Sequence, residues 1–154
     1  MTFNPIHAMA LKSVQIDIPS QAIASATTLT LGSITDSSVI TVSSNIINLP
    51  SGRDYFLTAS INFSQASGNN VEFAFINASG GATFSNQAKA YAYYFVTQTN
   101  SDTYSGNVAM IAVNLASTLQ VQLKKTIHAA STSIYKDNAN SYIANSSITI
   151  LYTD

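Results

Sequence analysis

The run Tyr55-Phe56-Leu57-Thr58-Ala59-Ser60-Ile61-Asn62-Phe63 decides the fold class of this chain. Apolar or aromatic side chains occupy every odd position, and Thr58, Ser60 and Asn62 stand between them. Successive side chains of a β-strand point to opposite faces of a sheet. The spacing therefore predicts a strand with one buried face and one solvated face.

The same two-residue period recurs on both sides of this run. Turn-rich stretches such as Ser67-Gly68-Asn69-Asn70 and Ser79-Gly80-Gly81 separate the alternating segments, and no convincing amphipathic helix interrupts them. We predict an all-β fold, an antiparallel jelly-roll sandwich of about eight strands over residues 27–154. The apolar positions that carry this prediction are Leu29, Leu31, Val71, Phe73, Phe75, Leu119, Val121, Leu123, Ile127, Ile148, Ile150 and Tyr152, with further strands expected within 39–49 and 108–115.

Composition restricts the function. Only 8% of the 154 residues are charged and the net charge is −1, which argues against partners that are nucleic acids or anionic membranes. Ser, Thr, Asn and Gln make up 59 residues, so neutral hydrogen-bonding groups cover the surface. The absence of cysteine excludes disulfides, thiolate metal sites and a cysteine nucleophile.

Residues 1–26 differ from the rest and are predicted to be an N-terminal arm. They contain Pro5 and Pro19 and no long alternating run. Apolar side chains without a core of their own normally find one in a partner, so we predict that the arm docks on another protein. The alternative is that Lys12–Ile18 is simply the first strand of the sandwich. The predicted docking residues are Phe3, Ile6, Met9, Leu11, Val14 and Ile16.

The segment 88–96 breaks the half-buried pattern. Its even positions are mostly alanine, its odd positions include Tyr91, Tyr93 and Phe95, and neither set is typical of a solvated face. One interpretation is a strand with half-exposed tyrosines, which their hydroxyl groups tolerate. The other is that the second face packs against another subunit, where Tyr and Phe are enriched. On this basis Tyr91, Tyr93 and Phe95 are predicted to form a trimer interface.

The segment Ile46-Ile47-Asn48-Leu49-Pro50-Ser51-Gly52-Arg53-Asp54-Tyr55-Phe56-Leu57 contains a turn with a physical basis of its own. Pro50 ends the pairing of the preceding strand and Gly52 supplies a positive φ. With the strand order that follows, the segment resembles the tumour-necrosis-factor-like, or complement-like, jelly roll of bacteriophage decoration proteins, head fibres and tail-fibre tips. The resemblance covers about residues 27–154 and implies a trimer.

The resemblance implies a virion structural protein: a decoration or cement protein that binds the major capsid protein of a phage as a homotrimer and stabilises the head. Assembly in the host cytoplasm and a final place on the capsid surface follow. The alternative is the receptor-binding tip of a tail or head fibre that recognises host glycan or protein. A secreted signalling or lectin domain is a third class, against which the absence of an apparent signal peptide counts.

Residues suited to chemistry are few, and no enzymatic activity, cofactor or metal is predicted. His7 and His128 have no Gly-x-Ser-x-Gly nucleophile elbow to serve. Glu72 is the only glutamate, and glycoside hydrolysis needs two facing carboxylates. Asp137, Asn138 and Asn140 do not have the spacing of a calcium loop and predict a polar turn.

Overall fold

The computed structural model describes residues 10–24, 27–35, 37–65, 70–78, 84, 88–91, 93–96, 103–127, 132–134 and 146–153. These residues contain β-strands and no helix, as the alternating sequence predicted. In chain order the strands are β1 (Leu11–Asp17), β2 (Gln21–Ile23), β3 (Thr41–Ser43), β4 (Ile46–Leu49), β5 (Tyr55–Gln65), β6 (Asn70–Asn77), β7 (Ala88–Tyr91), β8 (Tyr93–Val96), β9 (Thr103–Ala112), β10 (Leu119–Ile127), β11 (Thr132–Ile134) and β12 (Ser147–Thr153).

The strands form two antiparallel sheets consistent with a β-sandwich. In the seven-stranded sheet β1, β12 and β5 are consecutive neighbours, and β9 and then β7 follow on the other edge of β5. The short strands β11 and β2 lie beyond β12 along the same edge of β5. The five-stranded sheet has the order β3–β4–β10–β6–β8. Both sheets therefore place one of their longest strands, β5 or β10, in the middle.

The core lies between the inner faces of the two sheets. Every odd position from Tyr55 to Phe63 is at most 2% exposed, as the alternation predicted. Phe63 of β5 meets Phe73 of β6 edge to face, with ring centroids 5.3 Å apart. This aromatic contact ties the seven-stranded sheet to the five-stranded sheet.

The long pairings are nested in chain order. The first strand β1 pairs with the last strand β12, β4 pairs with β10, β5 with β9, and β6 with β8. The strands of the second half of the chain, β8 to β12, therefore pair with strands of the first half in reverse order. Pairs of high sequence separation dominate such an arrangement, so no single segment contains a self-sufficient part of the core.

The N-terminal segment belongs to the sandwich from residue 11 onward. Strand β1 pairs with β12 over its whole length, from Leu11 opposite Thr153 to Asp17 opposite Ser147. Val14 and Ile16 are 3% and 0% exposed. The structure thus contains a leading strand, which the sequence offered as the alternative to an arm over residues 1–26. Val14 and Ile16 fill the core and are not available to dock on a partner.

Residues 88–96 form two strands in different sheets rather than one strand with two apolar faces. Strand β7 pairs with β9 in the seven-stranded sheet, and β8 pairs with β6 in the five-stranded sheet. In β7 the even residues 88 and 90 pair with the buried Ala112 and Met110, whereas in β8 the odd residues 93 and 95 pair with the buried Phe73 and Val71. The described residues of this segment are therefore not one continuous strand with two apolar faces.

A second segment, 27–35, crosses between the sheets at the other side of the sandwich. Leu29 N donates to Leu123 O of β10 at 2.9 Å, while Thr35 N donates to Gln15 O of β1 at 2.9 Å. Between them, Gly32 N donates to Asp17 O at 2.8 Å, and a Cβ at Gly32 would come within 3.2 Å of the Asp17 Cβ. The close approach explains the glycine. Segments that change sheets join both sides of the sandwich and cover edges that would otherwise pair with other chains.

The Leu49-Pro50-Ser51-Gly52 turn has the geometry expected from its sequence. Gly52 has φ 78°, a conformation that glycine adopts without strain. Its N–H donates to Leu115 O at 2.8 Å, and the Tyr55 hydroxyl donates to Pro50 O at 2.8 Å. These bonds fix the start of β5 against the end of β9, where the candidate surface lies.

Candidate interaction surface

The outer face of the seven-stranded sheet carries the exposed large apolar side chains of the described residues. Leu11 is 68% exposed, Phe56 44%, Ile111 39% and Val113 45%. Phe56 pairs with Leu151 on one side and with Ile111 on the other, so their side chains form a row across β12, β5 and β9. We call this surface the apolar patch and define it as Leu11, Phe56, Ile111, Val113 and Leu151.

The patch contains a shallow groove of ≈ 270 Å³ at one end of the sandwich. All five patch residues line it, and Asp54, Tyr55, Tyr152 and Thr153 complete its wall. Tyr55 and Tyr152 are stacked with ring centroids 6.2 Å apart and are nearly buried. Burial raises the pKa of Tyr55, an effect that nearby Arg53 opposes. Both tyrosines stand at the inward parity of their strands, so their rings belong to the core and not to the apolar patch.

The polar groups beside the groove are engaged with one another. Asp54 accepts a hydrogen bond from Asn114 N through Oδ1 at 2.7 Å, and Asp54 N donates to Thr153 Oγ1 at 3.1 Å. Thr153 N donates in turn to Asp54 O at 3.1 Å. Asn114 has a positive φ of 48°, which asparagine tolerates better than most residues. These bonds hold the rim together, and the groove presents mainly hydrocarbon to a partner.

The outer face of the five-stranded sheet has the opposite character. Gln120 Nε2 donates to Asn48 Oδ1 at 3.1 Å, and Asn48 Nδ2 donates to Thr41 Oγ1 at 3.3 Å. This amide ladder crosses β10, β4 and β3. Further along the face, the Thr126 hydroxyl donates to the Glu72 carboxylate. Among the described residues of this face, no large apolar side chain is as exposed as the four exposed side chains of the apolar patch.

Lys125 is a polar residue inside the fold. It follows Leu123 at the inward parity of β10 and is 0% exposed. Burial lowers its pKa, because a buried environment disfavours the charged ammonium. A register shift between Lys125 and Ile127 lies next to it. Only one of the two adjacent lysines that the sequence contains at 124–125 is thus on the outside.

The sequence-predicted site residues separate into three groups. Leu11 is in the apolar patch, whereas Val14 and Ile16 are in the core. The strands that contain Tyr91, Tyr93 and Phe95 are described, but the side chains of these residues are not, so the trimer interface assigned to them stays a prediction. Phe3, Ile6 and Met9 lie outside the described residues.

Sequence reasoning did not identify the apolar patch, although a signal for it exists. Phe56 and Ile111 stand at the outward parity of strands whose inward residues are Tyr55, Leu57 and Met110. An apolar residue at an outward position breaks the alternation. The breaks on β5, β9 and β12 lie in one row, but this can be recognised only once the register of the three strands is known.

The residues considered for chemistry do not assemble into a catalytic or metal site within the described part of the chain. No group of three His, Cys, Asp or Glu residues there has the geometry to hold a metal ion. The Glu72 carboxylate is engaged by Thr126. His7, His128 and the Asp137, Asn138 and Asn140 turn lie outside the described residues.

No protein-family model matches the chain, and no curated protein matches its sequence. Among the described residues, no helix is long and apolar enough to cross a membrane.

Proposed function

We propose that this chain is a virion structural protein, a decoration or cement protein that binds the capsid of a phage as a trimer. The apolar patch is the surface through which the copies associate. The observation that carries the proposal is the placement of four exposed large apolar side chains on one sheet face of a chain with few charges. Contiguous apolar surface that polar groups surround is typical of protein interaction sites.

The strand pairing supports the jelly-roll part of the proposal. Eight strands of a jelly roll pair first with last, second with seventh, third with sixth and fourth with fifth. The pairs β1–β12, β4–β10, β5–β9 and β6–β8 have this nested order when the short strands are set aside. The capsid as partner rests on the resemblance of residues 27–154 to phage decoration proteins.

The chemistry of the groove weighs between the decoration protein and the receptor-binding tip. Recognition of a glycan needs hydrogen-bonding groups that are available to sugar hydroxyls. At the groove, Asp54 and Thr153 already bond to the protein and the remaining lining is mostly apolar. Aromatic and aliphatic surface of this kind fits a protein partner better than a sugar.

The experiment measures mass and capsid binding together. By light scattering at micromolar concentration, we expect the wild-type chain to have about three times the 16.3 kDa mass of one copy. We also expect it to sediment with empty capsids of the parent phage. Ile111→Lys places an ammonium in the interface, where an unpaired charge costs several kcal/mol. This variant should therefore run as a monomer and lose capsid binding.

Gln122→Lys is the matched control, because it adds the same charge to the outer face of the five-stranded sheet. It should keep the wild-type mass and bind capsids. A wild-type mass near 16.3 kDa would contradict the proposed self-association. A trimer that stays in the supernatant while the capsids sediment would contradict the proposed role in the virion.

A further inference from the structure

We propose that the groove on the apolar patch binds the segment Met1–Met9 of a neighbouring copy of this chain. The inference rests on the self-association proposed above and assigns a different contribution to each side of the contact. One copy supplies the groove, and the next supplies the apolar side chains Phe3, Ile6 and Met9.

The position of Leu11 connects the segment to the groove. Leu11 is the first residue of β1, pairs with Thr153 and lines the groove while remaining 68% exposed. The residues that precede it therefore join the sheet at the same end of the sandwich as the groove. A segment in this place starts next to the surface that we assign to it.

The chemistry of the segment matches the groove. Met1–Met9 contains no Asp, Glu, Lys or Arg side chain. Among the described residues that line the groove, Asp54 carries the one carboxylate, and it already accepts a hydrogen bond from Asn114 N. Docking therefore removes apolar surface from water without burying an unpaired side-chain charge, the cost of which defeats most apolar contacts.

The spacing of the segment also suits the groove. Phe3, Ile6 and Met9 are three residues apart along the chain. The six residue steps from Phe3 to Met9 can span at most ~20–22 Å, at about 3.3–3.6 Å per residue of extended chain. The patch extends over β1, β12, β5 and β9, three strand spacings or ~14 Å. The segment is long enough to cross it.

The direction of β1 favours a neighbouring copy over the same copy. Leu11 is in an extended strand, so a segment that continues this direction passes beyond the end of its own sheet. To reach its own groove, the chain would have to reverse within a residue or two of Leu11. Contacts from one copy to the next close into a ring when the rotation between copies closes, as in a trimer.

The test is a complementation experiment with two defective copies. Deletion of residues 1–9 removes the segment and keeps the groove, whereas Phe56→Lys keeps the segment and disrupts the groove. Each variant alone should run as a monomer by light scattering. Mixed at several hundred micromolar, they should form a one-to-one pair through the single intact contact. The high concentration is needed because one contact lacks the avidity of a closed ring.

Circular dichroism of each variant first establishes that it folds, and Val113→Lys replaces Phe56→Lys if the latter does not. A deletion variant that keeps the wild-type trimer mass would overturn the inference and leave the proposed self-association standing. Two monomeric variants that do not pair on mixing would also overturn it. A monomeric wild-type chain would instead contradict the proposed function itself.

Discussion

The two outer faces of the sandwich carry different kinds of side chain at equivalent outward positions. Both sheets direct apolar side chains inward, and both must present the other half of their residues to the outside. On the five-stranded sheet, Gln120, Asn48 and Thr41 bond to one another and cover the face with neutral polar groups. On the seven-stranded sheet, Phe56 and Ile111 occupy equivalent outward positions and remain exposed. This difference is the reason for proposing that the copies associate through the seven-stranded sheet.

The inward and outward positions of a strand therefore give separate information. The inward positions indicate the core, and in both sheets they are mostly apolar. The outward positions indicate whether the outer face of the sheet is suited to solvent or to another protein surface. In a chain with only 8% charged residues, polar outward positions are amides and hydroxyls, so an outward phenylalanine or isoleucine stands out against them.

The largest expected effect separates the inside of the sandwich from the patch. Phe73→Ala removes a buried ring that contacts Phe63, and such truncations typically cost ~3–5 kcal/mol of unfolding free energy. Phe56→Ala removes a ring that is 44% exposed and should cost ~1 kcal/mol or less in the dissociated chain. Urea denaturation at nanomolar concentration measures both. Equal losses for the two variants would mean that Phe56 is a core residue and not part of an interface.

The core was predictable because it depends on local periodicity alone. The odd residues from Tyr55 to Phe63, and Ile148, Ile150 and Tyr152, are buried as their spacing predicted. Residue type alone would misplace Lys125, because its parity in β10 is inward although lysine usually occupies an outward position. The strand register places it inside regardless.

Features that depend on pairing between distant strands were not predictable. The run 88–96 looks continuous in sequence, but its two halves pair with β9 and β6 in different sheets. The apolar patch likewise requires the register that aligns Leu151, Phe56 and Ile111. Leading strand β1 could be proposed from its spacing, but its place beside β12 could not, because its partner is more than a hundred residues away.

A smaller effect is expected on the polar face. Asn48→Ala removes the middle of the amide ladder, leaving Gln120 and Thr41 to bond with water. Hydrogen bonds near the surface are worth about 0.5–1.5 kcal/mol each, so we expect a loss of ~1 kcal/mol in urea denaturation and no change in oligomeric mass. Gln15→Ala on the seven-stranded sheet is the control, since its side chain has no part in the ladder. A change of oligomeric mass in the Asn48→Ala variant would place an interface on the five-stranded sheet and contradict the assignment to the apolar patch.

The smallest expected effect concerns salt. Neither the ladder nor the patch relies on ion pairs, and the chain has only thirteen charged side chains. Raising the salt to about 1 M, where the Debye length is ~3 Å, should therefore leave the dissociation constant of the proposed trimer within a few-fold of its low-salt value. Sedimentation equilibrium measures it. Dissociation on adding salt would show that charges hold the copies together.

The measurement that tests the central claim most directly is the labelling rate of single cysteines placed on each outer face. The natural chain has no cysteine, so Val113→Cys reports on the apolar patch and Thr41→Cys on the amide ladder. We predict that Cys reactivity at position 113 falls as the protein concentration rises from nanomolar to micromolar, while reactivity at position 41 stays constant. Equal behaviour at the two positions, or protection at position 41 alone, would contradict the claim that the apolar patch is where the copies associate.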